Sequence, residues 1–365
     1  METPSAGLRS SGEERPGIRG RGAGFNPDQR FAELHIDYDP GEAPEKVATK
    51  FFRDHSSSII SRHNSPDLPF EASLNPYRGC EHGCAYCYAR PTHEYLGWSA
   101  GMDFESRIMV KKDAPALLRR EFARPGYKPV KIALSGVTDC YQPAEKKLRI
   151  TRQCIEVLAE CRHPVSIVTK NHLVLRDLDL LAELARHQAV VVMLSVTTLD
   201  PDLAHRLEPR ASAPRQRIEA IRELAAAGIP AGIMTAPIIP GLNDSEIPAL
   251  LDAAAAAGAQ FAGYTVARLP FSVKEVFAAW LDEHMPGSRD KILGRIEDTQ
   301  GRTLSHADFG KRLRGEGVWA DQIAALFRVS VKRAGIPQKR AELSATSFRR
   351  PLTDQGVFDF DTAAT

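Results

Sequence analysis

From about residue 128, the chain alternates short apolar runs with longer segments of helical spacing. The apolar runs predict strands, because they are rich in aliphatic residues and end near Gly or polar residues. They are KIALS at 131–135, VSIVT at 165–169, VVVMLSV at 190–196, IPAGIMTA at 229–236 and FAGYTVA at 261–267. The segments between them predict helices at 145–161, 175–186, 215–227 and 245–257.

Strands that are apolar throughout and separated by helices indicate a parallel sheet with helices on its faces. The run LPFEASL at 68–74 predicts a first strand, which brings the total to six βα units with right-handed crossovers. The predicted class is therefore α/β. The pattern leaves open whether the six units form a partial barrel or an open sheet.

The two ends of the chain differ from this middle part. Residues 1–45 are rich in Gly, Arg, Glu, Pro and Ser, which predicts a flexible segment. The run RGRGAGF at 19–25 is either an ordered anchor or part of a basic tail. Beyond about residue 271 the spacing predicts helices at 273–284, 291–297 and 320–334, with no further strands.

The C-terminal region is basic. Between Arg302 and Arg350 there are eleven Lys and Arg residues against four Asp and Glu, an excess of seven positive charges. Such an excess belongs either to a solvated surface or to one that faces a polyanion. The net charge of the whole chain is only +2, so total charge favours no partner class.

The composition, 43% hydrophobic and 26% charged, is that of a globular protein. The first 25 residues lack the apolar run of a signal peptide, and the apolar run near residue 255 is too short to span a membrane. These features predict a cytoplasmic protein without a membrane partner. In that reducing compartment, clustered cysteines bind metals or do chemistry more often than they form disulfides.

Three of the six cysteines lie within eight positions, in NPYRGCEHGCAYCYAR at 75–90. Thiolates favour zinc, copper(I) or iron–sulfur clusters. A structural zinc site needs four ligands; no second pair follows the triplet at suitable spacing, and His82, between the cysteines in a tight loop, is awkwardly placed to be the fourth. A cubane iron–sulfur cluster held by three thiolates keeps one iron open for a substrate or cofactor.

The spacing Cys-x3-Cys-x2-Cys, with an aromatic residue before the third cysteine, resembles the radical S-adenosylmethionine (SAM) superfamily. The flanking runs SGVTDCYQPAEKK, VTKN and APIIPGLND resemble its spore photoproduct lyase-like branch, also labelled "DNA repair photolyase". The resemblance covers about residues 66–300. It implies a partial (βα)6 TIM-like barrel of parallel strands, followed by a helical, basic C-terminal extension at 301–365.

The resemblance also implies a chemistry. Cys80, Cys84 and Cys87 would hold a [4Fe-4S] cluster, and the open iron would bind S-adenosylmethionine. An electron from a reductant such as flavodoxin or ferredoxin would cleave this cofactor and yield a 5′-deoxyadenosyl radical, which takes hydrogen from the substrate. In such enzymes the cofactor supplies the difficult step, and the protein supplies orientation and exclusion of water.

Further positions match residues that bind S-adenosylmethionine in the family. Tyr86 would lie beside the adenine, Lys170 near the methionine carboxylate, and Ser195 would face the ribose. Ile238 would pack against the adenine, and the remaining matches, near the methionine amino group, are Ser135, Gly136, Thr138 and Asp139. All lie where predicted strands end, which is where parallel α/β folds place their sites.

Several of these residues have plainer interpretations. Tyr86 is equally compatible with core packing, Lys170 with a surface position and Ser195 with a satisfied core hydroxyl. Thr138 and Asp139 are typical of turns or helix caps. In the run LEPR, Glu208 is either part of a salt-bridged turn with Arg210 or a polar part of the pocket.

The other three cysteines are scattered. Cys154 and Cys161 are seven residues apart on one predicted helix and are typical of small core residues. Cys140 is either a plain loop residue or a catalytic thiol that donates hydrogen to a product radical. The hydrogen-donating cysteine of spore photoproduct lyases aligns near Gly136, so Cys140 is not its direct counterpart.

Two classes of function remain. The first is a radical SAM enzyme, whose substrate is a nucleic acid, a small metabolite or a peptide. The second is a non-catalytic iron–sulfur or zinc-binding module, such as an electron carrier. The missing fourth cysteine and the βα units around the triplet favour the enzyme.

Overall fold

The computed structural model describes residues 18–31, 47–305, 308–337 and 342–351. The strands are β1 Lys50–Arg53, β2 Ile60–Arg62, β3 Ala72–Leu74, β4 Tyr77–Arg78, β5 Arg107–Val110, β6 Ile132–Leu134, β7 Val165–Thr169, β8 Val190–Ser195, β9 Ala231–Ile238 and β10 Phe261–Val266. The helices are α1 Met102–Ser106, α2 Ala114–Ala123, α3 Glu145–Leu148, α4 Ile150–Cys161, α5 Leu178–Arg186, α6 Pro201–Leu207, α7 Pro214–Ala226, α8 Ile247–Ala256, α9 Val273–His284, α10 Arg289–Thr299 and α11 Gly317–Arg333.

The main sheet has seven strands in the order β10-β9-β8-β7-β6-β3-β2. Six strands of this sheet are mutually parallel, namely β3, β6, β7, β8, β9 and β10. The seventh strand, β2, pairs antiparallel with β3. This arrangement confirms the predicted α/β class and the six parallel strands. Within the described residues β2 and β10 stay unpaired with each other, so the sheet is a partial barrel with one open side.

The sheet core follows from the apolar runs. All three residues of β6 are buried, as are five of the six in β8, so these strands are covered on both faces. The helix α4 buries Cys154, Ile155, Leu158 and Cys161 against the sheet, which confirms that Cys154 and Cys161 are core residues.

The structure differs from the sequence prediction at 145–161, where two helices replace one. Arg149 has φ 54°, a left-handed backbone that ends α3 and begins α4. The carboxylate of Glu145 accepts a hydrogen bond from the Thr151 amide (2.9 Å) and one from the Tyr77 hydroxyl. Negative charge at a helix N-terminus is stabilising, so Glu145 favours the break.

The C-terminal part joins the two edges of the open sheet. Here, in residues 308–313, the Leu313 carbonyl accepts a hydrogen bond from the amide of Val266 at the end of β10 (3.0 Å). Arg312 donates to Asp67 (2.7 Å) and Ser65 (2.6 Å), which lie between β2 and β3. We call residues 308–313 the bridging segment; α11 follows it and packs on α8 and α10.

The termini are described in part. Residues 18–31 lie against the chain that follows β4. Residues 1–17 and 32–45 of the segment predicted to be flexible lie outside the described residues. The boundaries of the predicted core, 66–300, and extension, 301–365, stay predictions. No helix in the described part of the chain is long and apolar enough to cross a membrane.

Candidate functional site

The cysteine triplet lies in the loop after β4, which we call the cysteine loop (residues 79–90). The side chains of Cys80 and Cys84 are buried, Cys87 is partly exposed, and all three are free thiols. The pKa of each thiol is raised, chiefly by burial, and neighbouring thiols add to the effect at Cys80. Ligation of a cationic centre would release these protons and compensate for the burial of the thiolates.

The backbone of the cysteine loop is held in place by neighbouring groups. Gly83 has φ +68°, and a Cβ added to it would lie 2.6 Å from Oε2 of Glu105. The buried guanidinium of Arg90 donates to the Cys84 carbonyl (2.8 and 3.0 Å) and pairs with Glu105. Three free thiols on one loop are the soft donors that an iron–sulfur cluster prefers, and the contacts of Arg90 and Glu105 fix the backbone that carries them.

The cysteine loop also contacts the N-terminal segment 18–25. The Glu105 carboxylate accepts hydrogen bonds from the amides of Gly22 (3.1 Å) and Ala23 (2.8 Å). Arg21 donates to the Glu105 carbonyl (2.7 Å), and the Phe25 carbonyl accepts from the Met102 amide (3.1 Å). Of the two interpretations of RGRGAGF, the structure therefore shows the ordered anchor.

A buried polar network occupies the carboxyl ends of β7 and β8. The Lys170 ammonium donates to Ser195 Oγ (2.8 Å), Thr197 Oγ1 (3.1 Å) and the Ala236 carbonyl (3.1 Å), and forms an ion pair with Glu208 (3.1 Å). The Tyr86 hydroxyl also donates to Glu208. The structure thus brings together three predicted site residues that are far apart along the chain, namely Tyr86, Lys170 and Ser195.

Glu208 is the buried centre of this network. Burial raises the pKa of its carboxyl, but the charges of Arg217 and Lys170 outweigh burial and hold that pKa well below its usual range. Arg217 is buried as well and pairs with the same carboxylate. Arg210 pairs with Glu81 instead (3.0 Å), so the predicted salt bridge within LEPR does not form. No local motif indicated Arg217, which comes from α7.

The loop after β6 holds five of the predicted site residues. Both oxygens of Asp139 are engaged, accepting hydrogen bonds from the Tyr141 amide (2.8 Å), Thr169 Oγ1 (2.7 Å) and the Lys170 amide (2.8 Å). Asp139 thereby ties this loop to the end of β7. Ser135, at φ 86°, accepts a hydrogen bond from the Cys140 amide (2.8 Å).

Thr138 differs from these neighbours. Its hydroxyl oxygen is buried and has no hydrogen-bond partner among the described residues. A buried hydroxyl without a partner is costly, which is typical of a group that meets a ligand. Gly136, two residues earlier, accepts a hydrogen bond at its carbonyl from the Tyr88 hydroxyl (2.6 Å).

The remaining candidates lie in different surroundings. Ile238 ends β9 and is buried. Cys140 is fully buried in the main hydrophobic core rather than at the open edge, so a hydrogen-donor role stays a prediction without support from its position. The ring of His82 lies between Asp139 (3.4 Å) and Asn171 (3.3 Å). Within the described ranges, no group of three His, Cys, Asp or Glu side chains is placed to hold a metal ion.

Comparison with known proteins agrees with this geometry. The family profile of the radical SAM superfamily matches residues 74–254. An uncharacterized protein of Mycobacterium tuberculosis is 40% identical over 234 residues, which is 63% of this chain and 68% of that protein. The chain belongs to the radical SAM superfamily. The matched range of this radical SAM protein includes every site residue predicted from the sequence, from Cys80 to Ile238.

Solved structures share the fold of this radical SAM protein. Spore photoproduct lyase complexed with dinucleoside spore photoproduct has a TM-score of 0.53 and 17% identity, covering 82% of this chain and 84% of that chain. A variant of the lyase with bound AdoMet and dinucleoside spore photoproduct has a TM-score of 0.52 and 18% identity, with the same coverage. At these identities the likeness shows a common fold.

Proposed function

We propose that this protein is an enzyme that cleaves S-adenosylmethionine reductively, with Cys80, Cys84 and Cys87 holding a [4Fe-4S] cluster. The observation that carries the proposal is the set of three free thiols on a loop held by Arg90, beside a buried polar network at the carboxyl edge of the sheet. When bound, such a cluster supplies the electron that splits S-adenosylmethionine and yields the 5′-deoxyadenosyl radical.

The neighbouring side chains would hold the cofactor. The unpartnered hydroxyl of Thr138 would take a polar group of its methionine part, and Ile238 would pack against its adenine. Ser135, Gly136 and Asp139 would shape the loop after β6 around the methionine amino group.

Lys170 and Ser195 would hold the two other ends of the cofactor. Lys170 would bind the methionine carboxylate and exchange one of its present partners for it, because its ammonium hydrogens are already engaged. Ser195 would face the ribose. Tyr86, fixed through Glu208, would place its ring beside Cys84 and the adenine.

The substrate that we favour is a nucleic acid. The excess of seven positive charges between Arg302 and Arg350 supports it, as does the fold shared with a lyase solved with a dinucleoside photoproduct. A base would have to leave its stack to reach a radical in this site. A small metabolite or a peptide is the alternative, and the reductant would be a flavodoxin- or ferredoxin-type carrier in the cytoplasm.

The test is anaerobic. The protein is reconstituted with iron and sulfide and reduced, and its electron paramagnetic resonance spectrum is recorded with and without S-adenosylmethionine. The proposal predicts a spectrum that the cofactor perturbs and formation of 5′-deoxyadenosine. Both are lost in Cys84→Ala and kept in the matched control Cys154→Ala, whose thiol lies in the core. Bound zinc, or a cluster that ignores the cofactor, would instead indicate a non-catalytic metal module.

A further inference from the structure

Arg268 follows the last strand, β10, at the open side of the sheet, and it has an unusual environment. Its side chain is partly buried, and burial lowers the pKa of the guanidinium. Among the described residues it has no carboxylate within ion-pair distance. Its guanidinium carbon lies 4.7 Å from the ring centroid of Tyr88. A desolvated cation without a counterion lowers the stability of the folded protein, so an anionic ligand bound at Arg268 would be stabilising.

Tyr88 connects this cation to the cysteine loop. It directly follows Cys87, and its hydroxyl donates to the Gly136 carbonyl beyond β6 (2.6 Å). The side chain therefore links the loop after β6 to Arg268, which follows β10, at the carboxyl ends of these strands. Tyr88 is 49% exposed, so it presents an aromatic surface to solvent next to the third cysteine.

A second guanidinium comes from the bridging segment. Arg312 is fixed by Asp67 and Ser65, and its guanidinium carbon lies 4.8 Å from the ring centroid of Phe309, which is 55% exposed. Burial lowers the pKa of the Arg268 guanidinium, and the positive charge of Arg312 lowers it further. Asp67 neutralises Arg312, whereas Arg268 has no carboxylate partner among the described residues.

We propose that Arg268, supported by Arg312, binds a phosphate of a single-stranded nucleic acid, with the adjoining base on the exposed ring of Tyr88. The planar guanidinium matches the oxygens of a phosphate, and aromatic rings beside cations form the usual platform for single strands. A carboxylate of a peptide would satisfy the guanidinium but would leave both exposed rings without a partner. The inference rests on the proposed function, because it places this strand beside the reacting centre.

Binding is tested without turnover. Fluorescence anisotropy follows a labelled single-stranded DNA 12-mer added to the cluster-loaded protein, without reductant or S-adenosylmethionine, over a range of salt concentrations. Arg268→Gln is expected to weaken binding by about ten- to a hundredfold, the range for one lost hydrogen-bonded charge. It should also lower the steepness of the salt dependence by about 0.7, the value for one phosphate contact on a single strand.

The matched control is Arg186→Gln, which removes the same charge from an exposed position at the end of α5, outside the basic C-terminal region. It should change affinity by less than about twofold, as expected for a charge outside the contact. Arg268→Lys keeps the charge without the planar fork and should bind between the wild type and Arg268→Gln. If Arg268→Gln does not fold, the affinity of Arg268→Lys relative to the wild type tests the inference instead.

Three results would overturn the inference: no DNA binding at low salt, equal losses in Arg268→Gln and Arg186→Gln, or tighter binding of an acidic peptide of matched length. Failure of this inference can be distinguished experimentally from failure of the proposed function. DNA binding through Arg268 without any 5′-deoxyadenosine from reduced protein would refute the enzyme and leave the binding site. Formation of 5′-deoxyadenosine without DNA binding would refute only the binding site.

Discussion

Gly22 lies so close to Gly83 that a Cβ added to Gly22 would stand 1.7 Å from the Gly83 carbonyl oxygen. The two glycines are 61 positions apart, yet their backbones are in direct contact. The N-terminal segment 18–25 therefore packs as one unit with the cysteine loop. Substitutions in this segment should therefore alter the cysteine loop and the placement of its thiols.

Gly22→Ala is expected to weaken cluster retention, because the added methyl group forces the cysteine loop and the N-terminal segment apart. Overpacking of this kind costs about 1–3 kcal/mol. Iron content after desalting of the reconstituted protein measures the effect. The control is Gly24→Ala, since nothing lies within 4 Å of a Cβ at that position. Equal iron in both variants would contradict the contact.

Glu105→Gln should destabilise the same unit. The buried carboxylate joins Arg90 to the amides of Gly22 and Ala23, so its neutralisation leaves a buried guanidinium unpaired. Removal of one partner of a buried ion pair costs about 3–5 kcal/mol. Denaturant unfolding measures this loss of free energy. Glu121→Gln, which removes the partly exposed partner of the exposed Arg124, should cost less than about 1 kcal/mol.

Lys170→Met should reduce affinity for S-adenosylmethionine by about ten- to a hundredfold, the loss for one charged hydrogen bond. Glu208 keeps Arg217 as its counterion in this variant, so the network retains one ion pair. The measurement is the cofactor concentration needed for half of the spectral change of the reduced cluster. Lys274→Met, at an exposed position of α9, is the control. Unchanged affinity in Lys170→Met would remove Lys170 from the cofactor site.

His163 should make stability depend on pH. Burial lowers its pKa from 6.5 to about 3, and its ring stacks on Phe122 with centroids 4.4 Å apart. Between these pKa values the unfolded chain binds the extra proton, so stability is full above pH 6.5 and falls as the pH drops toward 3. The slope for this one histidine is about 1.4 kcal/mol per pH unit.

His163→Phe keeps an aromatic ring at this position and removes the titrating group. Urea unfolding at several pH values from about 7 to about 5 should show a shallower loss of stability in the variant. Its stability should be lower throughout, because the Tyr127 hydroxyl loses its partner. His93, whose pKa burial lowers to about 4, is present in both proteins and cancels in the comparison. Parallel pH curves would show that His163 does not titrate as described.

The sequence predicted the features that repeat locally or carry a motif. The six parallel strands followed from apolar runs, and the meeting of Tyr86, Lys170 and Ser195 followed from the family motifs at the loop after β4 and at strand ends. The break at Arg149 was missed because the apolar spacing continues across it. Its cause, the Glu145 carboxylate, acts by hydrogen bonding rather than by hydrophobic pattern.

The long-range contacts that support the site could not be predicted from the sequence, for a different reason. Glu105, Arg217 and Gly22 act on residues many positions away, and no local motif marks them. Only the folded chain brings Arg217 to Glu208 or Gly22 to Gly83. The composition of RGRGAGF favoured a mobile segment, since Gly and Arg are typical of such segments, whereas the structure shows an ordered one.

The bridging segment has a consequence for the order in which the molecule is built. The hydrogen bond from Arg312 to Asp67 closes a loop of 245 residues. On the ribosome it therefore forms only after all six parallel strands have been synthesised, and closing so long a loop carries a large entropic cost. The contact across the open side of the barrel, from the loop after β2 to the bridging segment, is thus among the last parts of the molecule to mature.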